Sequence, residues 1–437
     1  MTKKNYSILW KNAKNYILGG NMLLSKRPEM FLPDLWPTYF SKAQKINVWD
    51  LNGKKYKDFV FAVGQSTLGY ANPSIDMQVK KAITKGNMTT LNCHEEVELA
   101  KKLIKLHKWA DKVKFARSGG EANALSIRIA RSACKKNKDN IAICGYHGWH
   151  DWYLSVNLKS KDLLNTHLLP GLDPIGVPKE LKNKTHPFEY GNFEQLLKIH
   201  KKYKLGIVKL EIARNNLPDI IFLKKIRKFC NQNKIILIFD ECTSGFRYNL
   251  GGLHLTTKVN PDIAMFGKAI GNGYAISAVI GKKKIMDKAI KSFISSTFWT
   301  ERSGYVAGLK TIEFMENYKT YNKLKINGNY LISQWKKLSK KYNLNLEISN
   351  MPCICNFKFK KNNNFFKTFI TKEMLKKGYL ASNMVYVSIY HNKKNIDKYI
   401  KNLDPIFKKI KLIINDKKTL KKITKLSSEN TFKRLIN

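Results

Sequence analysis

Two adjacent carboxylates, Asp240 and Glu241, close the apolar run Ile235–Phe239 in the stretch IILIFDECTSGFR. Charge at the tip of a buried strand is costly unless something there pairs with it. Lys268 follows the apolar stretch DIAMFG, 28 residues after Asp240 (268 − 240). A lysine desolvated behind a buried strand becomes a nucleophile toward carbonyls; a side chain reaching out to solvent is the plain alternative. Ser118-Gly119-Gly120 opens the helical pattern EANALSIRIARSACK. Backbone N–H groups and a hydroxyl at the positive end of a helix suit a phosphate, although an ordinary N-cap turn has the same appearance. The glycines at 267, 271 and 273 fit neither the G-x-G-x-x-G fingerprint nor the P-loop. His147 and His150 lack a Cys, His or acidic cluster at ligand spacing, so no metal site is expected.

One cofactor chemistry needs all of these parts. Pyridoxal phosphate (PLP) requires a Schiff-base lysine, a carboxylate on its pyridine nitrogen and a phosphate cradle. Lys268, Asp240 and Ser118-Gly119-Gly120 supply them in turn, and the ring of Tyr146 is available to cover the cofactor face. On this reading the partner of Asp240 is a pyridinium, whose proton lets the ring accept electrons from a substrate carbon.

The elements that must position these residues are legible as alternating patterns. From about residue 75 to 300, amphipathic stretches (HEEVELAKKLIKLH, FEQLLKIHKKY, FLKKIRKFCNQN) alternate with short apolar ones (VKFAR, NIAICGY, GIVKLE, IILIFD, DIAMFG, AISAVIG). Such alternation predicts a mostly parallel sheet with helices on both faces, which binds ligands at the carboxyl ends of its strands. Ser118, Tyr146, Glu211, Asp240 and Lys268 all fall at that edge. Ahead of this region, KINVWDLNGKKYKDF reads as a hairpin around Asn-Gly. Beyond residue 320 the patterns become those of a smaller α+β domain. The expected divisions are a leading segment over 1–60, a large cofactor-binding domain over 61–318, and a small domain with a lysine-rich tail over 319–437, the tail beyond 414 being a loosely packed helix or arm.

A chain of 437 residues with 43% apolar composition supports more than one core. The formal charge of +48 comes from lysines spread along the whole chain, without a zinc-finger, RNP or basic-zipper pattern. It predicts salt-sensitive adhesion to polyanions, not specific nucleic-acid recognition. Seven scattered cysteines with no C-x-x-C pair point to reduced thiols. No apolar run approaches membrane-span length, and the beginning, MTKKNYSILWKNAKNY, has no uninterrupted apolar stretch, so a cytoplasmic location is expected.

IFDECTSGFRYNLGG followed by PDIAMFGKAIGNG resembles the cofactor signature of class III PLP-dependent aminotransferases. FARSGGEANALSIRIAR and GYHGWHDW are similar to that family's phosphate and ring-stacking loops, and the subgroup most resembled is the glutamate-1-semialdehyde 2,1-aminomutases. The resemblance spans most of residues 15–400. It implies PLP fold type I (an α/β large domain with a mostly parallel, seven-stranded-type sheet plus a smaller α+β domain) in a homodimer with shared sites. It further implies that Lys268 binds the cofactor, Asp240 pairs the pyridine nitrogen, Ser118, Gly119 and Gly120 hold the phosphate, and Tyr146 stacks on the ring. Cys242 would pack against the ring where the family has a small aliphatic residue, and Thr297 in SSTFWTE would reach the partner's phosphate. Ser25 and Arg27, in LLSKRPEM, would receive a substrate carboxylate, with Glu211 also on the substrate side. Three departures stand out: Ile212 replaces a proline after Glu211, Ser25 and Arg27 are one residue closer together than in the aminomutases, and FAVGQS lacks a tryptophan. The last two argue against glutamate-1-semialdehyde itself, and the first reading is an amino-group transferase taking an amino donor and a small or sugar-derived carbonyl acceptor. A true aminomutase making 5-aminolevulinate is the alternative, and a non-catalytic scaffold or polyanion-binding protein is a third reading.

Overall fold

The computed structural model describes residues 6–135, 138–167 and 169–416. The expectation for the lysine-rich tail lies, from 417 on, outside the described residues. The chain divides into two units, one built from the residues up to Asn72 together with those from Asn322 onward, the other from Pro73–Tyr321.

The first unit begins with helix Tyr6–Tyr16 and strands β1 (Phe40–Gln44), β2 (Asn47–Asp50) and β3 (Lys55–Asp58). β2 and β3 pair antiparallel across the Asn52-Gly53 turn. Asp50 shapes that turn, its Oδ1 accepting from Asn52 N and Lys54 N, each at 2.9 Å, while Gly53 takes a positive φ of 78°.

The second unit carries β4 (Lys112–Ala116), β5 (Ile141–Cys144), β6 (Thr185–Pro187), β7 (Ile207–Glu211), β8 (Ile236–Asp240), β9 (Ile263–Phe266) and β10 (Ser277–Gly281). They form one seven-stranded sheet in the order β4-β10-β9-β8-β7-β5-β6. The pairs β5–β6, β5–β7, β7–β8 and β8–β9 are parallel, and β10 runs antiparallel to both β9 and β4. β5, β7, β8 and β9 are buried along their whole lengths, which is why β5, β8 and β9 read as near-continuous apolar runs rather than alternating ones, β7 being interrupted by Lys209. Crossover helices start at side-chain caps: Asn192 Oδ1 accepts from Gln195 N and Asp219 Oδ1 from Phe222 N, both at 3.0 Å. Helices His94–Leu106 and Arg302–Asn317 are joined by a forked ion pair in which Arg302 donates to both oxygens of Glu95 at 2.7–3.0 Å.

The first unit is completed by β11 (Leu346–Ile348), β12 (Ile354–Phe359), β13 (Tyr379–Leu380) and β14 (Met384–Tyr386). β11-β12-β14 is a small antiparallel sheet, whereas β13 runs parallel to β3 and so joins the N-terminal hairpin. Phe59, just beyond β3, stacks on Tyr399 at 4.3 Å inside this unit's core. No helix among the described residues is long and apolar enough to cross a membrane.

Candidate active site

The carboxyl edge of the seven-stranded sheet answers the question raised by the paired carboxylates, because the two side chains part. Glu241 is fully buried and accepts from His254 Nδ1 and Leu253 N at 2.5 Å and from His254 N and Ser244 Oγ at 3.0 Å. It ties the 241–254 loop together and has no capacity left for a ligand. Asp240, the last residue of β8, places Oδ2 2.8 Å from His147 Nδ1 and accepts from Cys242 N through Oδ1 at 3.0 Å. Burial pushes this carboxyl's pKa up, and His147 and Lys209, with the Cys242 amide, outweigh it, so Asp240 is held below the ordinary value.

Lys268 stands three residues beyond Met265, which pairs with Asp240 across the parallel β8–β9 ladder. Its Nζ donates to Thr243 Oγ1 at 2.8 Å. Its backbone is left-handed, with φ of 47°, a conformation costly for a side chain with a Cβ and concentrated at functional sites.

Ser118 caps the helix Gly119–Ala133 in a reciprocal box: Glu121 N donates to Ser118 Oγ at 3.3 Å, and Ser118 N to Glu121 Oε2 at 2.8 Å. The amides of Gly119 and Gly120 lie in the first turn, where a helix has no internal partners for them. A Cβ on Gly119 would sit 3.1 Å from Cys242 Sγ, and one on Gly120 3.2 Å from Trp149 Nε1, so side chains here would crowd the cradle. Cys242 is buried between Gly119 and Gly267, its thiol pKa pushed well up by burial and then by Asp240.

Tyr146 follows β5. Its amide donates to Glu211 Oε2 at 3.0 Å, and burial, then Asp240, raise its phenol pKa. Gly145 before it has φ of 110° and lies against Glu211, so that a Cβ would come within 2.6 Å of Oε2. Glu211 therefore shapes the Tyr146 turn, and its neighbour Arg214 Nη1 lies 3.7 Å from the same oxygen. Thr297 is exposed on the 297–300 turn. Arg117 anchors that turn: Nε donates to Phe298 O at 2.6 Å, Nη2 to Trp299 O at 2.9 Å and to Glu301 O, and Nη1 to Ala275 O at 3.3 Å. Trp299 Nε1 closes the connection by donating to Glu121 Oε1 at 3.0 Å. Ser25 and Arg27 belong to the other unit, where Ser25 lies in the short turn Leu24–Lys26 and Arg27 is buried.

Three residues of the site escaped the sequence reading. His147, by type a possible metal ligand, is instead the side-chain partner of Asp240. Its signal was its place beside Tyr146 at a strand end. Arg117 gave no signal, since its partners are backbone carbonyls. Lys209 was visible as the single charge inside GIVKL.

An anionic acceptor at one strand tip, an amine beyond the next strand and a glycine-lined helix start on the same sheet edge fit pyridoxal phosphate. The sheet order and these parts define a PLP-dependent enzyme of fold type I. The chain matches the family model "Aminotransferase class-III" over residues 34–404, and it belongs to that family. It is 32% identical over 363 residues to the 3-aminobutyryl-CoA aminotransferase of Cloacimonas acidaminovorans, covering 81% of this chain and 83% of that protein. It is 36% identical over 329 residues to the glutamate-1-semialdehyde 2,1-aminomutase of Nitrosopumilus maritimus, covering 73% and 75%. In fold it matches the FumI protein of Sphingopyxis sp. MTA144, solved in its PLP internal aldimine form, with a TM-score of 0.84 at 20% identity over 94% of this chain and 98% of that one. An omega-transaminase from Sphaerobacter thermophilus matches with a TM-score of 0.81 at 19% identity, over 93% and 98%. The protein is thus an enzyme that uses pyridoxal phosphate to move an amino group from a donor to a carbonyl acceptor.

Proposed function

We propose that this enzyme is a transaminase with a separate amino donor, acting on a small or sugar-derived carbonyl compound, with Lys268 as its catalytic residue. The observation that carries the cofactor chemistry is the placement of Asp240 and Lys268 at the ends of adjacent parallel strands, beside the Gly119–Gly120 helix start, and the separate donor rests on the Ser25–Arg27 spacing and the tryptophan missing from FAVGQS. When bound, pyridoxal phosphate supplies a carbonyl for the donor's nitrogen and a ring that accepts electrons from the substrate carbon. Lys268 Nζ would hold the cofactor and would move the proton at the substrate carbon. Thr243 Oγ1 accepts from that amine and orients it. Asp240 holds a proton at the ring nitrogen, and His147 fixes the carboxylate's orientation. Ser118, Gly119 and Gly120 bind the phosphate, Tyr146 and Cys242 cover the ring's faces and exclude water, and Ser25, Arg27 and Glu211 bind and orient the substrate.

The proposed assembly is a cytoplasmic homodimer in which Thr297 reaches the partner's phosphate. Ile290, Phe293 and Phe298, near Thr297 in sequence, are strongly exposed, which suits burial by a second copy. Borohydride reduction of the holoenzyme followed by peptide mapping tests the core of the reading. The cofactor should be found on Lys268; attachment to another lysine, or no visible absorbance after pyridoxal phosphate is added, refutes it.

A further inference from the structure

Lys209 lies in the middle of β7, and its side chain is fully buried. Alternation along the strand sends Lys209 and Glu211 to one face. The parallel register pairs Lys209 with Ile238 and Glu211 with Asp240, so Lys209 is the diagonal neighbour of Asp240 on that face. Its Nζ donates to Ser126 Oγ at 2.8 Å and approaches Met265 Sδ at 3.4 Å. The Trp152 ring lies 5.8 Å from this ammonium and also stacks on His147, the residue that holds Asp240. Among the described residues no carboxylate lies within salt-bridge distance of Lys209, so a cation is buried against neutral partners.

Such burial is unfavourable for folding, and an aliphatic residue would fill the same place in the sheet. Desolvation pushes the pKa of Lys209 down to about 8, with Asp240 and then Cys242 acting in the opposite direction, so the side chain is charged at neutral pH. The ionisable groups around it are Asp240 and Cys242 from the end of β8, Glu211 on its own strand, His147 after β5 and Lys268 after β9. Asp240 is the one it stabilises: Lys209 is among the groups that hold that carboxyl ionised.

We infer that Lys209 is a positioning residue for the cofactor ring, its buried charge standing behind Asp240 so that the carboxylate stays anionic and the shared proton stays on the pyridine nitrogen. The inference rests on the reading that Asp240 faces that nitrogen. A unit charge one strand over and one pleat back changes the ratio of protonated to unprotonated ring by on the order of tenfold.

The test uses the holoenzyme reconstituted with pyridoxal phosphate isotope-labelled at the ring nitrogen, followed by nitrogen NMR at neutral pH. Lys209→Met, close in volume and uncharged, should move the resonance from the protonated toward the unprotonated position, and Lys209→Gln should do the same. Asp240→Asn is the control for the parent reading and should move it furthest. If Asp240→Asn moves the resonance and both folded Lys209 variants leave it at the wild-type position, Lys209 has no such role. If Asp240→Asn leaves it unmoved, the parent reading fails instead. Should circular dichroism show that neither Lys209 variant folds, Lys209 is structural and the inference is overturned.

Discussion

Replacing Lys209 by methionine should make the protein more stable, and the gain should depend on pH in a defined way. The folded protein lowers this lysine from 10.5 to about 8, whereas the unfolded chain leaves it at its ordinary value. Lowering from 10.5 to about 8, at about 1.36 kcal/mol for each tenfold change in proton affinity, is a burial penalty on the order of 3 kcal/mol. The lost hydrogen bond to Ser126 offsets about 1 kcal/mol of the gain. The Ser126 hydroxyl keeps its own bond to Asn123 O at 2.7 Å, so no donor is orphaned. Above the unfolded pKa the lysine is neutral in both states and costs nothing. As pH falls from about 10.5 to about 8 the penalty builds up, because the unfolded chain takes up the proton before the folded one, and below that it is complete. The methionine variant should therefore exceed the wild type by about 2 kcal/mol near neutral pH and lose that advantage toward about pH 10.5. Urea unfolding of both proteins side by side at the two ends of this window, with cofactor removed so that ligand linkage drops out, measures the difference. A variant less stable than wild type at neutral pH, or a difference that ignores pH, refutes the reasoning.

Asp240→Asn should leave the fold intact and abolish most turnover, with cofactor affinity weakened by roughly 1.5–3 kcal/mol; equilibrium dialysis and steady-state rates check both, and wild-type turnover would assign Asp240 another role. Mixing a Lys268→Ala chain with a Thr297→Ala chain should restore activity at one composite site per heterodimer. Failure to do so in confirmed heterodimers places Thr297 in its own chain's site. A transaminase needs a separate donor and follows ping-pong kinetics, so glutamate-1-semialdehyde alone should not be converted stoichiometrically. Conversion at an enzymatic rate without donor would establish the aminomutase alternative. Arg27→Ala should raise KM for the substrate more than it lowers kcat, and equal effects on both would remove Arg27 from substrate binding.

The seven-stranded sheet was legible because its strands are buried on both faces and its crossover helices are amphipathic. β6 was not: three residues containing Pro187 carry no periodic signal. The hairpin over residues 47–58 was readable from Asn52-Gly53, but its pairing with β13 was not, because Lys57 and Tyr379 are joined by a ladder that local pattern cannot encode. β13 and β14 go to different sheets within four residues of one another, a division no local pattern encodes. At the site, residue types at strand ends point to Asp240 and Lys268 as candidates, and the structure places both at the carboxyl edge of the sheet. What becomes of Glu241 was not readable, since its partner His254, like the partner His147 of Asp240, is set by tertiary contacts rather than by local pattern.

The anchoring of the 297–301 turn by Arg117 has a consequence for how two chains would meet. One guanidinium holds the carbonyls of Phe298, Trp299 and Glu301, and Glu121 holds the Trp299 ring. Ordering a loop at an interface ordinarily opposes association by about 0.5–1.5 kcal/mol for each side chain immobilised. Here the backbone of the turn and the Trp299 ring are already held within a single chain. If the proposed homodimer docks through this turn, its backbone would meet the second copy as a near-rigid body, with a rate set by diffusion and orientation.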